Sequence, residues 1–313
     1  MNDPITVIFM GTPDFAVPCL KSLTECNCVV DRVITQPDRP RGRGRRVAPP
    51  PVKQTAEMLG YPVLQPEDVG SSDFYDMLAG LQPDLFVVVA FGHILQKRIL
   101  DIPRYGSLNI HASLLPAYRG PAPIQWAIIN GERETGVTSM MMDKGLDTGE
   151  ILLSEKLPIL PEDTAGTLHD KLSVLAAGVL KKTINGIASG TVRPVSQNHA
   201  KASYAPMLKK TDGRIEWSKS AEEIERFIRG MNPWPGAYTF MGKKRFKIFR
   251  ATVCPLTEIQ PPGTVIAGFD AELRVACGKD ALCIQEIQAD SARRMEIGQF
   301  LKGQHIPLQS VFR

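Results

Sequence analysis

Asn109 and His111 sit two residues apart in the run Asn109-Ile110-His111-Ala112-Ser113-Leu114-Leu115-Pro116. On a strand that spacing sends both side chains to the same face. An amide and an imidazole on one face at a strand's end can converge on a single oxygen and stabilise negative charge there. The plain alternative is that the two only hydrogen-bond a turn. Their company argues for chemistry: a Pro-rich loop follows the strand, and an acidic turn, Gly145-Leu146-Asp147-Thr148-Gly149, lies about thirty-five residues on. Asp147 itself reads two ways. It can cap its own turn, as Asp often does, or it can serve as the imidazole's partner and carry a proton. No Ser–His or Cys–His pairing stands out, so a covalent route has no candidate nucleophile.

Positioning such a pair needs a sheet. Ile5–Met10 is a short apolar run ending at Gly11, Val29–Thr35 is a second, and residues 84–91 form the clearest strand, apolar on both faces. Leu108–His111 and Gly136–Met142 follow. Runs of this kind are those of buried parallel strands. Helical stretches alternate with them: Ala16–Leu23, with Thr12 or Asp14 as its cap and Pro13 in its first turn, then Ile124–Asn130 and a long Thr164–Ile187. The alternation predicts an α/β fold with a doubly wound, mostly parallel sheet, whose ligands lie outside the carboxyl ends of the strands. The Gly11-Thr12-Pro13-Asp14 turn lacks the GxGxxG pattern, which argues against a nicotinamide enzyme.

Residues 189–208 lack periodicity and are rich in small and polar side chains, so they are expected to link a first domain over 1–188 to a second over 209–313. In the second, a helix near Ala221–Met231 precedes short strand-like runs at 237–241, 246–254, 264–267, 273–276 and 282–287, separated by turn signals. That pattern predicts a small, OB-like β-barrel.

Net charge is +4 over 313 residues, and the excess is uneven: residues 207–313 hold 17 Lys and Arg against 12 Asp and Glu. A second concentration, Arg39, Arg41, Arg43, Arg45 and Arg46, lies in one loop without apolar periodicity. Both read either as solvated charge or as grips on a polyanion. Phe246, inside the basic KKRFK segment at 243–247, reads as a barrel-core residue or as a ring for stacking on a base. No apolar run approaches the roughly 18 residues of a membrane helix. The first residues carry no basic leader, and the six cysteines follow neither a CxxC nor a zinc-like spacing. The expectation is a cytoplasmic chain with buried free thiols, no metal and no membrane partner. A monomer is expected because no further apolar helix face is left over.

Asn109, His111 and Asp147, with the SLLPAYRGPAPI run at 113–124, resemble the signature of the folate-dependent formyltransferases. The GTPDF turn at 11–15, the QPDRPRGRGRR loop at 36–46 and the NPWPG run at 232–236 extend the resemblance over nearly the whole chain. It implies transfer of a formyl group from 10-formyltetrahydrofolate, with Asn109, His111 and Asp147 as the catalytic trio and no metal. It also implies that Ser113, Leu114, Leu115 and Pro116 line the folate, with His93 and Leu95 as further contributors. The implied acceptor is the α-amine of methionine on the acceptor stem of initiator tRNA. Arg41, Arg43, Arg45 and Arg46 would then enter that stem, and Lys209, Lys210, Lys244, Arg245 and Lys247 would track the RNA backbone. Two alternatives keep the trio: an acceptor that is a sugar nucleotide or another small amine, or hydrolysis of the formylfolate. A non-catalytic RNA-binding protein on the same fold is a third.

Overall fold

The apolar runs become strands wherever both of their faces can be covered. The computed structural model describes residues 4–41, 46–256, 258–269 and 272–313. In chain order the first elements are β1 (Ile5–Gly11), α1 (Val17–Ser22), β2 (Cys28–Ile34), β3 (Arg39–Arg41), β4 (Arg46–Ala48), α2 (Pro51–Met58), β5 (Val63–Leu64) and α3 (Ser72–Gly80). Then come β6 (Leu85–Val89), α4 (Lys97–Leu100), β7 (Ser107–His111), α5 (Pro123–Ile129), β8 (Glu134–Met141), β9 (Ile151–Pro158) and α6 (Ala165–Ser189). Seven strands form one sheet in the order β5-β2-β1-β6-β7-β8-β9. The pairs from β5 to β7 are parallel, while β8 and β9 join antiparallel at one edge. All five residues of β6 are buried, which explains its unbroken apolar run. Ile8, Met10, Phe86 and Val88 pack with Phe74 and Leu78 of α3 and with Ile99 and Leu100 of α4 on one face. Val7, Phe9, Val87 and Val89 are equally buried on the other.

Two local expectations are corrected. Thr12 does not cap the helix after β1: its hydroxyl donates to the carbonyl of Phe91 at 3.0 Å, and a short 3-10 turn at Asp14–Ala16 precedes α1 without a side-chain cap. Strand β9 was not anticipated. Its Glu155, Lys156 and terminal Pro158 suit an edge strand, where one side of the ladder stays open.

The chain divides into two contact units. One runs to Pro123 and adds Glu134–Pro158 and His169–Ala205; the other comprises Ile124–Arg133, Ile159–Leu168 and the residues from Pro206 onward. Residues 189–205, expected as part of a linker, are tied down within the first unit. Val195 and Ile151 exchange two backbone hydrogen bonds of 2.8 Å, and Ala205 donates to the Arg119 carbonyl at 2.7 Å.

In the second unit, α7 (Ala221–Gly230) starts from a reciprocal cap between Ser220 and Glu223. The strands β10 (Ala237–Met241), β11 (Lys244–Cys254), β12 (Val265–Phe269), β13 (Glu272–Ala276), β14 (Ala281–Ala289) and β15 (Met295–Glu296) follow, with α8 at Ile297–Gly303. They pair in the order β10-β11-β14-β13-β12, with β15 on β14. Residues 309–313 bond both edges of this curled sheet: Gln309 donates to Val265, and Arg313 and Phe240 exchange bonds of 2.8 and 2.9 Å. The small barrel is thereby closed around Phe246, Phe300, Phe312 and Trp217, whose rings lie 5.7–6.2 Å apart in successive pairs. Phe246 is thus a core residue and does not face a base. All six cysteines are free, but only Cys19 and Cys277 are buried and the other four are half-buried. Burial pushes the Cys277 thiol up to about 12, so it stays protonated and inert.

Candidate active site

Strand β7 pairs in parallel with β6, placing Asn109 opposite Val88, and antiparallel with β8, placing His111 opposite Thr138. Asn109 is half-buried and His111 buried. As the spacing requires, both lie on one face, about 6–7 Å apart along the strand. Among the described residues the Asn109 side-chain amide has no hydrogen-bond partner, so its donor is open to a ligand. The His111 ring is held at Nε2 by the Tyr118 carbonyl, 2.9 Å away. A carbonyl only accepts, which assigns a proton to Nε2 and leaves Nδ1 as the ring atom facing the site.

That atom faces Asp147. His111 Nδ1 and Asp147 Oδ2 are 3.8 Å apart, with side chains only 9% and 14% exposed. The distance exceeds a direct hydrogen bond. The same Oδ2 accepts from the Gly120 backbone N–H at 2.7 Å. Asp147 sits in the turn between β8 and β9 with φ +53, a left-handed conformation uncommon for residues other than glycine, Asn and Asp. Asp143 closes that turn by accepting from the Gly145 N–H at 2.9 Å and the Thr148 hydroxyl at 2.6 Å.

The loop after β7 is built around buried polar groups. Ser113 donates to the Ala117 carbonyl at 2.6 Å. Thr138 donates to the Ser113 carbonyl at 2.7 Å and accepts from the Leu115 N–H at 3.1 Å. Leu115 and Ser113 are buried, while Leu114 and Pro116 are half-buried, so the latter two offer the accessible surface. Gly120, with φ +113 and the Ala205 carbonyl 2.8 Å from where a Cβ would stand, admits no side chain.

The other residues singled out by sequence fall as follows. Leu95 is 5% exposed and packs in the core beside Phe91 and Ile99, so its side chain is not available to a ligand. His93 is half-buried, its ring 5.2 Å from Phe91, with Nε2 shielded from water and without a hydrogen-bond partner among the described residues. Between them Ile94 is 91% exposed, and Leu146, next to Asp147, is 56% exposed. Arg43 and Arg45 lie outside the described residues; Arg41 and Arg46 pair through their backbones in the β3–β4 ladder. In the second unit Lys209, Lys210 and Lys244 are exposed and Lys247 half-buried. Arg245 pairs with Asp290 at 3.3 Å.

Sequence reasoning assigned no role to Tyr118, Arg119, Thr138, Gln197 or Ser203, which together hold the loop and the turn in place. A lone Arg within a Pro- and Gly-rich run is the one signal the sequence carries. Gln197 and Ser203 stand in a segment with no periodicity to mark them.

Known proteins resemble this chain over nearly its whole length. The formyl transferase model matches residues 4–184, and the model for the formyl transferase C-terminal domain matches residues 207–305. A protein named methionyl-tRNA formyltransferase from Citrifermentans bemidjiense is 49% identical over 297 residues, 95% of this chain and 93% of that one. Another of that name, from Pelotomaculum thermopropionicum, is 50% identical over 302 residues, 96% of each chain. Among solved structures, an N-formyltransferase from Helicobacter canadensis in complex with folinic acid and dTDP-3-aminofucose superposes with a TM-score of 0.67 at 21% identity, covering 93% of this chain and 100% of that one. HypX from Aquifex aeolicus in complex with tetrahydrofolic acid gives 0.62 at 17%, covering 98% and 51%. At those identities the likeness is one of fold. By model match and by near-full-length identity, the chain belongs to the formyl transferase family.

Proposed function

We propose that this chain transfers the formyl group of 10-formyltetrahydrofolate to the α-amino group of methionyl initiator tRNA, giving formylmethionyl-tRNA for translation initiation. The observation that carries the reading is an imidazole and a carboxylate meeting at 3.8 Å beside an open strand amide, in a chain about half identical over its length to proteins bearing that activity in their names. Residues 1–188 form the catalytic domain, and 209–313 form the tRNA-binding barrel.

Attack of a neutral amine on the formyl carbon produces a tetrahedral oxyanion, and an amine proton must leave while N10 regains one. Asn109 donates its amide N–H to the oxyanion without any change of charge. His111, its Nε2–H held by Tyr118, presents Nδ1 toward Asp147 and the reacting atoms. Asp147 takes up the proton lost by the amine and returns it toward N10. Ser113–Pro116 line the folate, and the pterin lies along the loops at 91–95 and 142–147. There main-chain groups at His93–Leu95 meet its polar edge, and Ile94 and Leu146 supply apolar surface. The chain acts as a monomer in the cytoplasm.

Labelled formyl transfer from formylfolate is compared across charged initiator tRNA, free methionine and a dTDP-amino sugar. Transfer to the tRNA alone is expected; a faster reaction with the sugar nucleotide excludes this reading. A second expectation concerns the arginine loop. Arg43→Leu raises KM for tRNA about tenfold and lowers the salt-dependence slope by about one charge, leaving KM for formylfolate unchanged. Unchanged tRNA kinetics mark the loop as ordinary solvated surface.

A further inference from the structure

Arg119 is 2% exposed, and among the described residues no carboxylate pairs with it. Its guanidinium instead donates to the amide oxygen of Gln197, from Nη2 at 2.6 Å and Nε at 3.2 Å, and lies 3.1 Å from His199 Nδ1. A buried guanidinium is ordinarily held by a carboxylate, which supplies the opposite charge and matches its two-pronged geometry. A Glu at position 197 would serve Arg119 better than the Gln that is there.

The other end of Gln197 explains the amide. Its Nε2 donates to the carbonyls of Asp147 at 2.9 Å and Gly149 at 2.7 Å. A carboxylate is acceptor-only and would face those two carbonyls with lone pairs. Orientation of the amide is unambiguous, because Arg119 can only donate and the carbonyls can only accept. Gln197 thus clamps the main chain of a turn whose Asp147 is held at φ +53. From the opposite side, the N–H of Gly120, the residue after Arg119, holds the Asp147 carboxylate at 2.7 Å. The backbone of Arg119 is fixed in turn by Ser203 and Ala205, through bonds of 2.8 and 2.7 Å.

We propose that Arg119 and Gln197 are positioning residues, a buried guanidinium–amide pair that aims the Asp147 carboxylate at His111. Among the described residues neither side chain bonds Asn109 or His111, so both act through Asp147. The inference rests on the formyl-transfer reading of the site.

Its test is the pair Gln197→Glu and Asp147→Asn, made singly and together. Gln197→Glu ion-pairs with Arg119, which offsets the loss of its bonds to the turn, and the variant stays folded by its melting curve. It removes both donors to the turn, so kcat falls about tenfold while KM for tRNA and for formylfolate stays within twofold. In the Asp147→Asn background the same change costs less than twofold further, since two residues acting through one group are not additive. If Gln197→Glu does not fold, Gln197→Met, of similar length but without donors, is carried through the same cycle. Wild-type kcat in a folded Gln197→Glu, or an equal loss in both backgrounds, overturns the inference while the function stands. A wild-type chain that transfers no formyl group removes the function and the inference together.

Discussion

Replacing Asp147 with Asn leaves the fold intact and lowers kcat for formyl transfer by on the order of 10²–10⁴-fold. The substitution is clean for structural reasons. Asn tolerates the left-handed backbone that Asp147 adopts at φ +53, and its side-chain oxygen still accepts from the Gly120 N–H. What disappears is the negative charge 3.8 Å from His111 Nδ1 and the capacity to carry a proton between amine and N10. Substrate binding does not depend on that charge, so both KM values stay near wild type, and single-turnover rates report the loss directly. An Asp147→Asn enzyme within a few-fold of wild type in kcat would reduce the carboxylate to a turn cap, the alternative that the Gly-x-Asp-x-Gly pattern leaves open.

Part of the candidate site's geometry is legible in the sequence. Period-two spacing put Asn109 and His111 on one face, and the run of buried residues in β6 announced a sheet covered on both sides. Such signals are local. Side-chain direction on a strand depends only on the parity of position, and burial on both faces writes itself into five consecutive apolar residues. The parts that escaped are those in which a polar residue is explained by a partner far along the chain. Gln197 makes sense only against Arg119, 78 positions earlier, and against the carbonyls of Asp147 and Gly149, 50 and 48 positions earlier. Nothing in the composition of 189–208 distinguishes a solvated connector from a strap bonded to the first unit through Val195, Gln197 and Ser203.

Burial can also mislead in the other direction. Leu95 belongs to the loop after β6 where a flat ligand is expected, yet its side chain completes the core with Phe91 and Ile99, and it is Ile94 that stands in solvent. Where the backbone leaves a strand and turns, alternation no longer tells in from out. The edge strand β9 escaped for a related reason: with one face open, its charged residues erase the apolar run that marks its buried neighbours.

The second large effect falls on Gly149, where the chain has no room for a side chain. A Cβ built there stands 1.7 Å from the Met141 carbonyl oxygen and 2.8 Å from its carbon. Both are backbone atoms at the end of β8, whose N–H side is already bonded to Glu150 at 2.9 Å. No flexible side chain can yield, so either β8 parts from β9 or the turn carrying Asp147 shifts. Gly149→Ala is expected to cost about 3 kcal/mol or more of stability, read as a lowered urea midpoint, and to lower kcat as well, because the Gly149 carbonyl is one of the two that Gln197 grips. The matching control is Gly178→Ala in α6, where an added Cβ meets nothing within 4 Å. Helix propensity there favours Ala by about 0.5–1 kcal/mol, so that variant should be slightly more stable and fully active. Equal midpoints for the two variants would mean that the β8–β9 turn relaxes around a methyl group, and a turn that relaxes so readily could not hold a carboxylate in register with His111.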